Sequence, residues 1–379
     1  MSQRSIFEEV SGPKTASAPQ APGGRDAAKR SSRRAIRIWL LILAHLVAVM
    51  VLVGGMTRLT DSGLSITEWA PVMGALPPMS DADWQEAFAA YKTTTEFQEQ
   101  NNWMTLEDFK PIFWWEWGHR FLGRIIGLVW AVGFFWFLAR RMIPTGWTVR
   151  LLVPGVLGGL QGAIGWWMVS SGLTGRLDVA SYRLAVHLGL AFAIFALLLW
   201  LAFRIRPAES EILQARRRRE PGMLGVSSVV IGAAFLQILV GALVAGIDAG
   251  RGFPTWPNMT PDSFLPPEMF ALTPLWTNFF ENAGLVQFVH RMLGYLVLAL
   301  AIVLWMRGRR SAMGRVRVLS AWVPVAMLGQ VLLGIVTVVH AAPLGWALAH
   351  QAGALVVVGV LMRQRFELAY PAEQKIARG

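Results

Sequence analysis

The chain contains no cysteine, and only 15% of its 379 residues are charged. The missing thiols exclude disulfides, thiolate metal sites, iron–sulfur clusters and thioether attachment of a prosthetic group. The scarcity of charge excludes an ordinary soluble domain, in which about 25% of residues are charged. What is present is apolar: 54% of the residues are hydrophobic, and the mean hydropathy is +0.46. The apolar stretches lack the two-residue alternation of an outer-membrane barrel, while 18 Trp and 37 Gly suit interface girdles and close helix packing. The fold class is therefore all-α integral membrane.

A spanning helix needs about 20 apolar residues, and such runs lie at 36–57, 118–138, 149–169, 183–203, 223–246, 287–306, 318–339 and 346–362. Eight spans return the chain to its starting side. That side collects 26 Lys and Arg, among them Arg216 to Arg219 and the Arg307, Arg309 and Arg310 cluster, against six on the other. Lys and Arg accumulate in the cytoplasm, so both termini are expected there. The net charge of +12 then reports topology, and the partner it implies is the lipid bilayer, not nucleic acid. Residues 1–35 are rich in Ser, Pro, Ala and basic residues and carry no apolar signal core, so they read as a disordered cytoplasmic tail. Residues 206–222 read as a basic cytoplasmic linker and 366–379 as a second cytoplasmic tail. The long outer loop 58–115 is acidic, and Ser80 to Tyr91 within it has the pattern of a capped amphipathic helix, lying on the membrane surface or lidding a site.

The chain repeats itself. Asp61, Gly63 and Trp69 after the first span recur as Asp248, Gly250 and Trp256 after the fifth, all at an offset of 187. In the same order, His119-Arg120-Phe121-Leu122-Gly123 matches His290-Arg291-Met292-Leu293-Gly294, and Gln161 with Gly165 matches Gln330 with Gly334. Four spans bring the chain back to one side, so the repeats are parallel. The expected architecture is two parallel-repeat four-helix bundles, at 36–205 and 223–365.

Four of the six histidines, His119, His187, His290 and His350, fall near the outer ends of helices 2, 4, 6 and 8, two in each half. A histidine in hydrocarbon is costly unless it faces the bundle interior with a partner. Two inward imidazoles at one depth suit a flat ligand with two axial nitrogens, which describes haem. His45 and His340 have Gly232 and Ser171 as counterparts and read as packing or hydrogen-bonding residues. Arg120, Arg124 and Arg291 stand beside the histidines, either clamping haem propionates or snorkelling to headgroups. Glu116 precedes His119 by three residues, where the other half has Gln287 before His290. An acid on the histidine's helix face in one half only suggests that one haem is worked upon; the alternative is an interfacial Glu facing water beside Trp114, Trp115 and Trp117.

The segment Gly54-Gly55-Met56-Thr57-Arg58-Leu59-Thr60-Asp61-Ser62-Gly63-Leu64-Ser65, together with Glu116-Trp117-Gly118-His119-Arg120, resembles the haem A synthase family over about residues 36–365. The resemblance implies an oxidoreductase that converts the C8 methyl of haem O to a formyl group, by successive hydroxylations and loss of water from the gem-diol. It implies that His290 and His350 ligate a haem b cofactor, that His119 and His187 flank the iron of the substrate haem O, and that Glu116 is the acid near the reacting centre. The implied partners are haem O synthase as donor, cytochrome oxidase assembly factors as acceptors, and an electron acceptor of unknown identity. The implied location is a bacterial inner membrane, with haem sites toward the periplasm. Some members carry a cysteine pair in the first outer loop; this chain has none and is similar to the proteobacterial and mitochondrial branch. Two other classes fit the histidines: a dihaem b-type electron carrier that alters neither haem, and a two-repeat transporter with a histidine-lined proton path.

Overall fold

Among the described residues, runs of apolar residues without interior acidic breaks become eight helices long enough to cross a bilayer. The computed structural model describes residues 22–372, with side chains from residue 29 onward. The spans are α1 (Pro22–Leu59), α2 (Leu106–Ala139), α3 (Thr148–Gly172), α4 (Ser181–Arg204), α5 (Pro221–Gly246), α6 (Ala283–Gly308), α7 (Gly314–Val339) and α8 (Leu344–Ala369). The described residues contain no strand, only an isolated bridge between Thr260 and Ser263.

Helix boundaries differ from the sequence reading where polar residues support helix beyond the apolar run. Residues 22–35, read as tail, continue α1; residues 1–21 and 373–379, the rest of the two expected tails, lie outside the described residues. The 206–222 linker holds a short helix, Glu209–Arg217, tied to the end of α4 by the Arg204–Glu209 ion pair at 2.8 Å. Helix α2 begins twelve residues earlier than expected. Thr105 caps it, accepting from Asp108 N while the Asp108 carboxylate accepts from Thr105 N, which satisfies N–H groups that a helix start otherwise orphans.

That extension organises the long loop. The helix Asp81–Tyr91 is capped by Ser80 as its sequence indicates. It packs Phe88 and Tyr91 on Phe109, Ile112 and Phe113 of α2. Beneath it, Glu96 is buried; it accepts from Tyr91 Oη at 3.4 Å and Asn101 Nδ2 at 3.3 Å. Burial first, then the nearby Asp61 and Asp178 carboxylates, pushes the Glu96 pKa up to about 8.

Helices α1 to α4 close into a ring, α1 on α2, α2 on α3, α3 on α4 and α4 on α1; α5 to α8 close in the same order. The rings meet through α1 and α4 against α5 and α8. One apolar core fills the first ring, with Leu40, Leu43, Phe134, Phe195 and Leu198, and takes Leu355 and Val358 from α8; a second fills the other. Polar ties fix the seam at the loop-rich end. Arg58 reaches Asp61 at 2.9 Å, Asp178 at 3.4 Å and Asp248 at 2.8 Å, and donates through Nε to Ala245 O. Gln351 of α8 donates to Val51 O of α1 at 2.8 Å.

Candidate active site

His119, His187, His290 and His350 stand on α2, α4, α6 and α8, and each ring lies against a glycine of the preceding helix. A Cβ added at Gly54 would come within 3.1 Å of His119 Nε2, and one at Gly165, Gly241 or Gly334 within 3.0 Å of Cε1 of His187, His290 or His350. Any larger residue would displace the imidazole, so glycine is what admits the ring between the helices. One helical turn earlier on three of these helices stands a glutamine. Gln161, Gln237 and Gln330 donate through Nε2 to the backbone carbonyls of His187, His290 and His350, at 3.0, 3.0 and 2.7 Å.

The rings of His290 and His350 have centroids 6.3 Å apart and planes at 79°. Two imidazoles on opposite sides of one metal, with bonds of about 2.0–2.1 Å and ~1.2 Å from nitrogen to ring centre, span roughly 6.4 Å. The observed separation fits that arrangement. Nδ1 of both residues is buried with no hydrogen-bond partner, the condition of a nitrogen reserved for something other than protein. Among the described residues no group of three or more His, Asp or Glu gathers as a metal site.

Glu116 does not face water: it is 2% exposed. Its Oε2 accepts from Ser65 Oγ and Ile66 N, each at 2.7 Å, and its Oε1 accepts from Arg120 Nη2 at 2.6 Å and Nε at 3.1 Å. Arg120 donates further to the carbonyls of Ile66 and Glu68, both at 2.8 Å. Arg124 donates to Pro71 O and Ala70 O. In the second half, Arg291 donates to Phe253 O at 2.8 Å and Asn258 O at 3.0 Å, and Gln287 donates to Phe253 O at 3.4 Å. The three arginines do not stand free: most of their donors fasten the loops after α1 and α5. Arg124 Nη1 and Arg291 Nε are buried and unpartnered.

The remaining histidines fall outside this arrangement. His45 lies on the exposed side of α1, which tells against packing within the chain, one of the two roles expected for it. His340 ends α7, its Nδ1 2.8 Å from Val336 O.

The sequence model of a family described as cytochrome oxidase assembly protein, COX15-CtaA, matches residues 37–362. The chain belongs to this family. Its relatives include proteins named Heme A synthase from Ruegeria sp. (strain TM1040), 56% identical over 99% of each chain, from Dinoroseobacter shibae, 56% identical over 97% of each, and from Paracoccus denitrificans, 50% identical over 99% of each. Within this cytochrome oxidase assembly family member, Gln237 with Gly241 was missed as a site pair. The signal was available: glutamine four residues before glycine, on the helix preceding a histidine helix, occurs at 161/165, 237/241 and 330/334. Ser65 and Ile66 carry no sequence signal as partners of Glu116, because nothing in a linear pattern says that a loop folds back onto it.

Proposed function

We propose that the chain makes haem A, oxidising the C8 methyl of haem O to a formyl group by successive hydroxylations and loss of water from the gem-diol. The observation that carries the activity is identity of 50–56% over nearly the whole chain to relatives named Heme A synthase. What assigns the halves is an acidic difference at equivalent places, buried Glu116 beside His119 against Gln287 beside His290.

His290 and His350 hold haem b in the C-terminal half, a fit supported by their ring separation and their two unpartnered nitrogens. Haem b bound there supplies one-electron chemistry. In the N-terminal half, His119 and His187 flank the iron of the substrate, haem O. Glu116 is the acid of the reacting half. It acts within a fixed frame: Arg120 and the backbone of residue 66 hold its carboxylate one turn from His119, so its orientation is set before substrate arrives. Arg120, Arg124 and Arg291 serve cofactor and substrate binding through the loops they fasten, with Arg124 Nη1 and Arg291 Nε left as donors for a propionate.

The two halves are parallel repeats, supported by the matching ring closures and by the like surroundings of the four histidines. Both termini are cytoplasmic and the haem sites lie toward the periplasmic face of a bacterial inner membrane, on the Lys and Arg asymmetry. Haem O is apolar and enters from the bilayer. An apolar crevice of about 410 Å³ between α1, α2 and α8, lined by Val49, Val53, Met56, Trp115 and Leu348, suits its tail. Haem O synthase is the donor, and oxidase assembly factors take the product. The test is pigment extraction from membranes that contain this chain and a haem O synthase. A formyl-bearing haem is expected; a permanent dihaem electron carrier would leave haem O unchanged and overturn the proposal.

A further inference from the structure

The four histidines share a glycine cradle but not a brace. The position one turn before the glycine is Gln161, Gln237 and Gln330 on α3, α5 and α7, and Met50 on α1. The equivalence is spatial as well as linear. A Cβ at Gly294, one turn after His290, would meet Gln237 Nε2 at 3.3 Å, and one at Gly123, one turn after His119, would meet Met50 Cε at 3.5 Å.

Each glutamine grips its histidine at the backbone. A helical carbonyl already accepts from the N–H four residues on, and its second lone pair is free. A donor arriving there from the neighbouring helix fixes both the depth and the rotation of the histidine's own residue. The amide also faces the ring, with Gln161 Nε2 3.2 Å from His187 Nδ1 and Gln237 Nε2 3.3 Å from His290 Nε2. In all three glutamines Oε1 is buried without a partner. A thioether offers no donor and only a weak acceptor, so Met50 can supply neither contact to His119.

Resting on the proposed function, we infer that Gln161, Gln237 and Gln330 are positioning residues for His187, His290 and His350, and that Met50 leaves His119 the one unbraced ligand, which yields when haem is exchanged. The cofactor half is braced on both sides and retains its haem. The substrate half is braced on one side and releases its haem.

The test uses full-length protein purified in detergent from cells that also make haem O synthase, mixed with excess apomyoglobin as haem scavenger, with the released haem identified chromatographically. Wild-type protein is expected to give up haem O or haem A faster than haem b. Met50→Gln should slow that release about tenfold and leave haem b unaffected. Gln237→Met or Gln330→Met should hasten haem b release about tenfold, the lower end of the usual cost of losing a contact to a ligand histidine. The confinement of each effect to one haem separates positioning from general loosening, which would hasten the loss of both. Unchanged release in Met50→Gln with full haem b content, or unchanged haem b release in both glutamine variants, would overturn the inference. If Met50→Gln fails to accumulate, Gln161→Met must hasten haem O or haem A release alone for the inference to stand. Wild-type protein holding haem b in both halves would instead refute the proposed function, and Gln237→Met would still decide the brace.

Discussion

Replacing Glu116 by glutamine changes one atom of a side chain whose two oxygens each accept two hydrogen bonds. Oε1 receives Arg120 Nη2 and Nε, and Oε2 receives Ser65 Oγ and Ile66 N. At the Arg120 end an NH₂ would meet two N–H donors; at the Ser65 end it meets one, Ile66 N, because the Ser65 hydroxyl can turn to donate to Ser62 O and accept from the amide, so at least one charge-assisted bond is lost and the ion pair with Arg120 goes with it. At about 1.5–3 kcal/mol for a hydrogen bond to a charged group, the docked loop loses on the order of 1.5–3 kcal/mol, a factor of roughly 10 to 10² in its docked population. The spans do not depend on that contact, and Arg120 to Glu68 O and Arg124 to Pro71 O and Ala70 O keep the loop tethered. The variant should therefore insert and bind haem, while haem A falls by about 10²-fold or more and haem O accumulates with its hydroxylated intermediate. Gln287→Glu should alter product far less, since Gln287 makes one contact at 3.4 Å. The assay is chromatography of haems extracted from membranes with haem O synthase present, paired with hydrogen exchange of residues 64–71. Normal haem A with unchanged exchange would refute both the docking argument and the role of the carboxylate.

Three further outcomes are expected. His290→Ala and His350→Ala should each abolish the low-spin b-type spectrum in inserted protein while His45→Ala retains it; six-coordinate haem persisting in His290→Ala would show the wrong pairing of helices. Reporter fusions after Trp103 and Met259 should be periplasmic and one after Arg219 cytoplasmic, and a cytoplasmic signal at Met259 would break the assigned sidedness. Glu96, whose pKa rises from 4.5 to about 8 on folding, favours the folded loop through its protonated form. Its contribution is full below pH 4.5 and is lost progressively as pH rises toward 8. Proteolysis of the 66–105 loop should accordingly quicken from pH 6 to pH 9 in the wild type and not in Glu96→Gln; equal pH dependence in the two would refute the assignment.

The spans were legible because hydrocarbon imposes a single rule, backbone bonds satisfied within each segment, and an apolar run of sufficient length obeys it whatever its neighbours. The histidines were legible for the same reason, each an exception to that rule. Boundaries were less so where polar residues lead into a helix: Leu106 to Trp117 is amphipathic, and its apolar residues Phe109, Ile112 and Phe113 were assigned to a loop because their partners, Phe88 and Tyr91, lie some twenty residues away. The partners of Glu116 were illegible for a related reason. Hydrogen bonds to Ile66 N, and from Arg120 to the Ile66 and Glu68 carbonyls, involve backbone atoms, and backbone atoms carry no residue-specific signal.

The two loops show how one acidic difference alters an otherwise shared design. Arg120 and Arg291 each donate to the carbonyl of residues 187 apart, Ile66 and Phe253, both at 2.8 Å. Beside them, Glu116 accepts from the N–H of Ile66, whereas Gln287 donates to the C=O of Phe253. The same residue position thus meets a buried carboxylate at its N–H in one half and an amide at its C=O in the other, where Gln287 adds one bond of 3.4 Å to that of Arg291. The tighter loop covers the half assigned to haem O, which also carries the unbraced His119. A site that must exchange its haem would gain nothing from a tight loop if the haem left past that loop. The two features agree if the loop seals the site against water while exchange runs sideways, through the lipid-facing wall where the apolar crevice lies. Water exclusion then persists across turnover, and the electrostatic frame of Glu116 and Arg120 need not be rebuilt for each substrate.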